Sequence, residues 1–193
     1  MIRRFADRPL DPTVVDRVLD HASRAPSAGF TQGVEWLVLD TAPDVELFWT
    51  TTTTPGASNT WLDGMRTAPV LLIPTTSRSA YLDRYAEPDK GWTARDEADW
   101  PAPFWYVDAG MSVLLALQTA VDEGLGACFF GLPAPRVEEV RTAFGIPAEH
   151  EPIGVVALGH RLPDDSGSAG SSTRRPRRSP TETTHRGRWT SHP

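Results

Sequence analysis

Four short runs of apolar residues constrain the fold of this chain more than any other feature of its sequence. They cover residues 34–39, 68–73, 127–130 and 153–158. Each run is too short for a confident helix and is rich in residues that favour buried strands. Segments with helical spacing lie between them, without the regular alternation of a doubly wound fold. The pattern predicts a single α+β domain.

The helical segments carry recognisable ends. Asp11-Pro12 is a good helix start, because a capping carboxylate precedes a proline at the first helical position. Asp108 is predicted to cap a second helix that runs through Val121, is apolar on most faces and is therefore central or at an interface. A short third helix around Val140 is predicted to stop at Gly145.

The segment 75–106 reads as long, polar and irregular, yet it carries seven aromatic residues. A long aromatic loop inside a compact domain is often a lid or a subunit contact. Aromatic side chains that merely cover the core are an equally good interpretation.

Composition excludes several classes of protein. The 193 residues, 39% of them apolar, suffice for one substantial core. Cys128 is the only cysteine, so a disulfide within the chain or a cysteine-rich zinc site is excluded, and its apolar neighbours predict a buried core residue. No signal peptide or membrane span is recognisable, which predicts a cytoplasmic protein.

The charge is unevenly distributed. Six arginines lie in the last twenty residues, although the net charge of the chain is −6. The acidic body argues against a nucleic-acid surface, and no aromatic residues interleave the arginines before Trp189, which disfavours an RNA-binding tail. The basic tail could hold a phosphate, an RNA or the acidic face of a partner subunit, and we favour a phosphate.

The composition of residues 164–172 is that of a flexible linker. Because the arginine cluster and Trp189 follow this linker, the tail is expected to dock on another surface. The predicted organisation is a domain of residues 1–162 followed by an arm of residues 163–193.

No familiar catalytic motif is present. The sequence lacks zinc-ligand spacing, a Walker loop, a Gly-x-Ser-x-Gly elbow and a GxGxxG fingerprint, and its five histidines are scattered. Polar groups at element boundaries remain, which suits a phosphorylated cofactor that brings its own chemistry. We therefore predict no metal and no catalytic side chain.

Five blocks are spread over nearly the whole chain: Arg3-Arg4-Phe5, residues 25–32, residues 124–131, residues 152–159 and the arginines before Trp189. In their order and spacing these blocks resemble the nitroreductase family. The resemblance implies an α+β sandwich with a mixed central sheet flanked by helices. It also implies a homodimer in which the C-terminal extension wraps the partner subunit and adds a strand to its sheet, with two flavin mononucleotide (FMN) sites at the interface.

The same resemblance assigns cofactor contacts. Arg3 matches the basic residue near the flavin ring and ribityl chain, and Arg4 is a less certain neighbour. Either Arg177 or Arg178 matches the tail residue that reaches the phosphate, where a guanidinium can bind bidentately.

The remaining contacts belong to two turns of the chain. Ser27, Gly29 and Gln32 match a loop beside the ribityl chain and the ring. Phe130 and Gly131 match the position whose backbone amides face the flavin N5 and O4 edge, where an N–H donor stabilises charge on the reduced ring.

The implied activity is hydride transfer from NAD(P)H to a small acceptor with ping-pong kinetics. Nitroaromatics, quinones and unsaturated metabolites are all candidate acceptors, and residues 81–106 are expected to select among them. The protein would contribute positioning and electrostatics.

Two departures from the family pattern support an alternative. Met1 stands at the family's serine, so its usual pair of phosphate-binding arginines would lie upstream; either the true start is earlier or the phosphate is held differently. Phe30 replaces an asparagine found in many members. The alternative is a repurposed member that binds a deazaflavin or no flavin.

Overall fold

The computed structural model describes residues 1–92 and 94–162, together with residues 178, 183–185, 187 and 189. Within these residues the helices are α1 (Pro12–Ser23), α2 (Ala42–Thr52), α3 (Thr60–Met65), α4 (Arg78–Tyr85), α5 (Phe104–Asp122) and α6 (Val137–Phe144). The strands are β1 (Val34–Leu39), β2 (Val70–Thr76), β3 (Leu125–Phe130), β4 (Glu151–Pro152) and β5 (Val155–His160). Three short 3₁₀ turns cover Ala28–Phe30, Glu97–Asp99 and Ala134–Arg136.

The strands form one sheet in the order β1-β2-β5-β3, and β4 pairs with the end of β2. The predicted α+β class, with a central sheet flanked by helices, is confirmed. Neighbouring strands run in opposite directions throughout the described residues, where the resemblance predicts a mixed sheet.

The alternation of side chains along the strands separates two core layers. In β2, Leu71 and Ile73 face the layer under α2, α3 and α6, whereas Val70 and Leu72 face α1 and α5. Every residue of β2 is buried, which is why its run of apolar residues has no polar alternation. The result is a three-layer sandwich with one core on each face of the sheet.

Most predicted boundaries are confirmed. Asp11 caps α1 by accepting a hydrogen bond from the Thr13 amide at 2.9 Å. Strand β1 has the predicted bounds, and α6 ends at Gly145, whose φ of 67° is left-handed. Cys128 is a buried free thiol, as predicted.

Two predictions about the middle of the chain are wrong. Helix α5 begins at Phe104 rather than after Asp108, because the buried Trp105 packs its first turn against the core. The segment 75–106 is not irregular throughout, since it contains α4, which the Ser77 hydroxyl caps.

Helix α5 is the one helix among the described residues that is long and apolar enough to cross a membrane. It packs against α1 and against the sheet through Val113, Ala116 and Ala120. A core helix of a globular domain passes the same test of length and composition.

Candidate functional site

The N-terminal segment is fixed along the edge of the sheet. The Ile2 amide donates to the Ala127 carbonyl at 3.0 Å, and the Ala6 amide donates to the His160 carbonyl at 2.9 Å. The Phe5 amide donates to the Thr67 hydroxyl, which ties the segment to the turn after α3. These bonds hold the intervening Arg3 beside β3.

Arg3 brings a positive charge to the buried side of β3. Burial raises the pKa of the Cys128 thiol, and the nearby Arg3 guanidinium offsets part of this effect. The Arg3 Nε atom is itself buried and has no hydrogen-bond partner among the described residues. A buried unsatisfied donor is unusual in a folded protein and often marks the place of a ligand acceptor.

The end of β3 lies next to Arg3. Cys128 and Phe130 point to the same side of the strand, and Phe130 stacks on Trp49 with ring centroids 5.9 Å apart. The exposed Gly131 follows, and a Cβ built there would meet nothing within 4 Å. Its amide donates to no acceptor in the part of the chain that the structure describes, so it is available to a ligand.

The loop between α1 and β1 has an unusual backbone. Phe30 and Gln32 both have a φ of 55°, in the left-handed region that residues other than glycine rarely adopt. The Ser27 hydroxyl accepts the Gln32 amide at 3.0 Å, and Arg84 donates to the Gly29 carbonyl at 3.0 Å. Such strain persists only where surrounding contacts impose it, and it is concentrated at functional sites.

Asp108 is the main anchor of this loop, and it does not cap α5 as predicted. It lies within α5, is 2% exposed, and accepts the Ala28 amide at 2.7 Å and the Tyr81 hydroxyl at 2.9 Å. Sequence reasoning missed this role. The available signal was a carboxylate on the otherwise apolar face of a long helix.

The two groups of candidate residues occupy opposite edges of the sheet. Strand β1 starts, and β3 stops, at the same end of the sheet, with β2 and β5 between them. Three strand spacings of about 4.8 Å separate these edges by roughly 14 Å. No hydrogen bond joins residues 27–32 to Arg3, Phe130 or Gly131 within the described residues, so the structure does not unite them in one protomer.

The other predicted contacts are less informative. Arg4 and Arg178 are exposed, and Arg177 lies outside the described residues. Trp189 is 85% exposed and stacks on His185 with ring centroids 4.1 Å apart. No group of three or more histidine, cysteine, aspartate or glutamate side chains suited to a metal occurs in the described part of the chain.

The aromatic segment is folded against the loop. Rings of Tyr85, Trp92 and Trp100 lie with centroids 4.5–5.2 Å apart. A Cβ built on Gly29 would lie 2.7 Å from the Tyr85 ring, so only glycine allows this approach. The segment and the loop therefore form one surface.

Comparison with known proteins decides the family. The nitroreductase family model matches residues 1–160. The chain belongs to the nitroreductase family. The sequence matches no curated protein at a significant level.

Solved structures of nitroreductase-like proteins have the same fold. NfrA2 of B. megaterium is 22% identical with a TM-score of 0.72, and the match covers 98% of this chain and 71% of that chain. A protein assigned as a nitroreductase of Desulfovibrio desulfuricans, solved in complex with FMN, is 21% identical with a TM-score of 0.70 and coverages of 98% and 92%. A protein assigned as an NADH oxidase of Clostridium acetobutylicum is 17% identical with a TM-score of 0.66 and coverages of 97% and 95%.

The donors at the end of β3 are chemically compatible with FMN, with which the Desulfovibrio desulfuricans protein is solved. A flavin ring edge carries acceptors, and the donors here are the buried, unsatisfied Arg3 Nε and the exposed Gly131 amide. The open space beside Gly131 leaves room for a planar group to approach the backbone.

Proposed function

We propose that this chain is an FMN-dependent oxidoreductase that works in the cytoplasm and transfers hydride from NAD(P)H to a small acceptor by a ping-pong mechanism. A nitroaromatic, a quinone or an unsaturated metabolite would serve as the acceptor. The observation that carries the proposal is the family match over residues 1–160, combined with the buried, unsatisfied Arg3 Nε and the exposed Gly131 amide at the end of β3.

The residues of the chain would act by position and charge. When bound, FMN supplies the two-electron chemistry. The Arg3 guanidinium and the Gly131 amide would donate hydrogen bonds to the side of the ring on which negative charge develops. No side chain is proposed to move a proton, because the cofactor brings its own redox chemistry.

A homodimer follows from the separation of the two candidate groups. Ser27, Gly29 and Gln32 lie at the opposite edge of the sheet from Arg3, and a second protomer would bring its copy of one group to the other group around the same cofactor. Helix α5 offers a surface for this association, since Val107, Leu114 and Val121 are exposed at intervals of seven residues on one face.

The arm would dock on the remaining free edge of the partner's sheet. The N-terminal segment covers part of the β3 edge through Ile2. Among the described residues the outer edge of β1 has no strand beside it. An unpaired edge strand is a ready site for an added strand from another chain.

The aromatic segment would form the wall of the acceptor site. Its rings pack beside Gly29, in the loop proposed to contact the cofactor. Lys90, the only lysine of the chain, lies 5.3 Å from the centroid of the Tyr85 ring on the same surface.

Titration of the apoprotein with FMN, followed by flavin fluorescence, tests the proposal. We expect one FMN per protomer and a dimeric mass by light scattering at low micromolar concentration. Replacing both Arg177 and Arg178 with alanine should weaken FMN binding by roughly one to two orders of magnitude, the range expected for loss of a charge-assisted hydrogen bond. Unchanged affinity would remove the arm from the phosphate site, and a protein that takes up no FMN would refute the proposal.

A second candidate function is a family member that binds a deazaflavin or no flavin. Phe30 favours it, because its side chain is 78% exposed and offers no polar contact at a loop that would face the cofactor. The same titration with a 5-deazaflavin separates the two: tighter binding of the deazaflavin than of FMN would favour this candidate.

A further inference from the structure

A small, partly open cavity lies between the end of α1 and the first half of α5. Its volume is about 120 Å³. Its polar lining comes from Asp108 and Ser112 of α5, with Ser27 and Gln32 at one side. Such a space holds a group the size of several water molecules but not a nucleotide.

Asp108 presents one free oxygen to this cavity. Both of its hydrogen bonds, from the Ala28 amide and the Tyr81 hydroxyl, converge on Oδ2. Its Oδ1 accepts no hydrogen bond from any described residue and is not sealed in the core. Asp108 is only 2% exposed and lines the cavity, so Oδ1 is the atom that an occupant of the cavity would meet.

The charge of Asp108 has no counterion. Among the described residues no lysine, arginine or histidine forms an ion pair with it. Buried carboxylates are rarely left without a cation or a full set of donors.

Other groups that line the cavity also favour a positively charged occupant. The Ser112 hydroxyl donates its proton to the Ala22 carbonyl at 2.8 Å, so its oxygen is left only to accept. Ala22 and Ser23 belong to the last turn of α1, where the helix dipole is negative. Besides the Ser27 hydroxyl and the Gln32 amide, the lining thus combines a carboxylate, an accepting hydroxyl and the negative end of a helix.

We propose that this cavity binds an organic cation with N–H donors, of guanidinium or ammonium chemistry, which donates to Asp108 Oδ1 and Ser112 Oγ. The cavity shares Ser27 and Gln32 with the loop proposed to contact FMN, whereas Asp108 and Ser112, on which this inference rests, take no part in the flavin proposal. The cation has two candidate sources: a small molecule, or an arginine from the basic arm of a second copy of the chain.

Binding of methylguanidinium to the full-length protein, measured by saturation-transfer NMR, tests the site. Tetramethylammonium is the matched control ligand, since it carries the charge without N–H donors. Two variants are matched. In Asp108→Asn the amide oxygen can still accept both anchoring hydrogen bonds, but an NH₂ group replaces Oδ1 at the cavity. Tyr81→Phe removes one anchoring hydrogen bond and leaves Oδ1 of Asp108 intact.

Methylguanidinium should bind the wild type and Tyr81→Phe. The affinity of the Asp108→Asn variant for it should be at least about tenfold lower. Binding to the wild type indicates that a small molecule is the source of the cation. If methylguanidinium instead binds only a variant in which Arg174, Arg175, Arg177 and Arg178 are all replaced by glutamine, the arm is the source. If Asp108→Asn does not fold, Ser112→Ala supplies the test and should weaken binding several-fold. Three results would overturn the proposal. Methylguanidinium could bind Asp108→Asn and Ser112→Ala as tightly as the wild type, or tetramethylammonium could bind as tightly as methylguanidinium. The third is that methylguanidinium binds neither the wild type nor the variant with the arm substitutions.

Discussion

Replacing Gly64 with alanine should destabilise the protein and displace Arg3. Gly64 is buried in α3, and a Cβ there would lie 2.3 Å from the backbone oxygen of Arg3. That distance is far shorter than a van der Waals contact, and a backbone atom cannot rotate away as a side chain can. The N-terminal segment must therefore shift.

The expected magnitude comes from two opposing effects. Overpacking of this kind costs about 1–3 kcal/mol, whereas alanine in place of a helical glycine gains at most about 1 kcal/mol. The balance predicts a loss of roughly 1–2 kcal/mol in the free energy of unfolding, measured by urea denaturation. Weaker FMN binding should accompany it, since Arg3 moves with the segment.

Gly110→Ala is the matched control. Gly110 is also a helical glycine, in α5, but a Cβ there would meet nothing within 4 Å in the same protomer, so within the protomer the gain in helix propensity should be unopposed. The dependence of the unfolding midpoint on protein concentration separates any effect on association from an effect on the protomer. A Gly64→Ala protein as stable as the Gly110→Ala control would refute the placement of the Arg3 segment over α3.

Three further predictions follow from single side chains. Tyr81→Phe should lower the free energy of unfolding by about 1–3 kcal/mol, because the hydrogen bond to Asp108 is lost. Burial and this hydrogen bond raise the pKa of Tyr81, so the stability of the wild type should fall as the pH rises above about 10, and that of the variant should fall less steeply. Parallel curves of stability against pH would contradict this. Cys128 should resist an aromatic disulfide reagent at pH 8 until the protein unfolds, because burial raises the pKa of its thiol; a fast native reaction would argue against its burial. Phe30→Asn should stabilise the protein by about 1 kcal/mol relative to Phe30→Ala, since asparagine tolerates the left-handed backbone, and equal stability of the two would show that the loop is not strained.

The elements that the sequence predicts well are those with a local signal. Strand β1 is a short buried run, and α6 stops where Gly145 adopts a left-handed φ of 67°. Asp108 misled the prediction for α5 because an aspartate before an apolar run is typical of a helix cap. Packing of Trp105 carries the helix one turn further, and this packing is not visible in local sequence.

The candidate site combines local and distant information. The turn from Ser27 to Gln32 is recognisable locally, but its anchor Asp108 bonds to Ala28 across 80 residues of sequence. No periodicity or spacing connects two such positions in a single sequence. The same holds for Arg3, whose buried environment depends on α3 and β3 meeting in space.

Anaerobic reduction of the purified protein by NADH or NADPH, followed by visible absorption, tests the central claim most directly. The account predicts a yellow protein with near-stoichiometric oxidised flavin, whose absorption bleaches when the reduced nicotinamide is added and returns when a quinone follows. A colourless protein that takes up no added FMN, or a bound flavin that neither nicotinamide reduces, would contradict it.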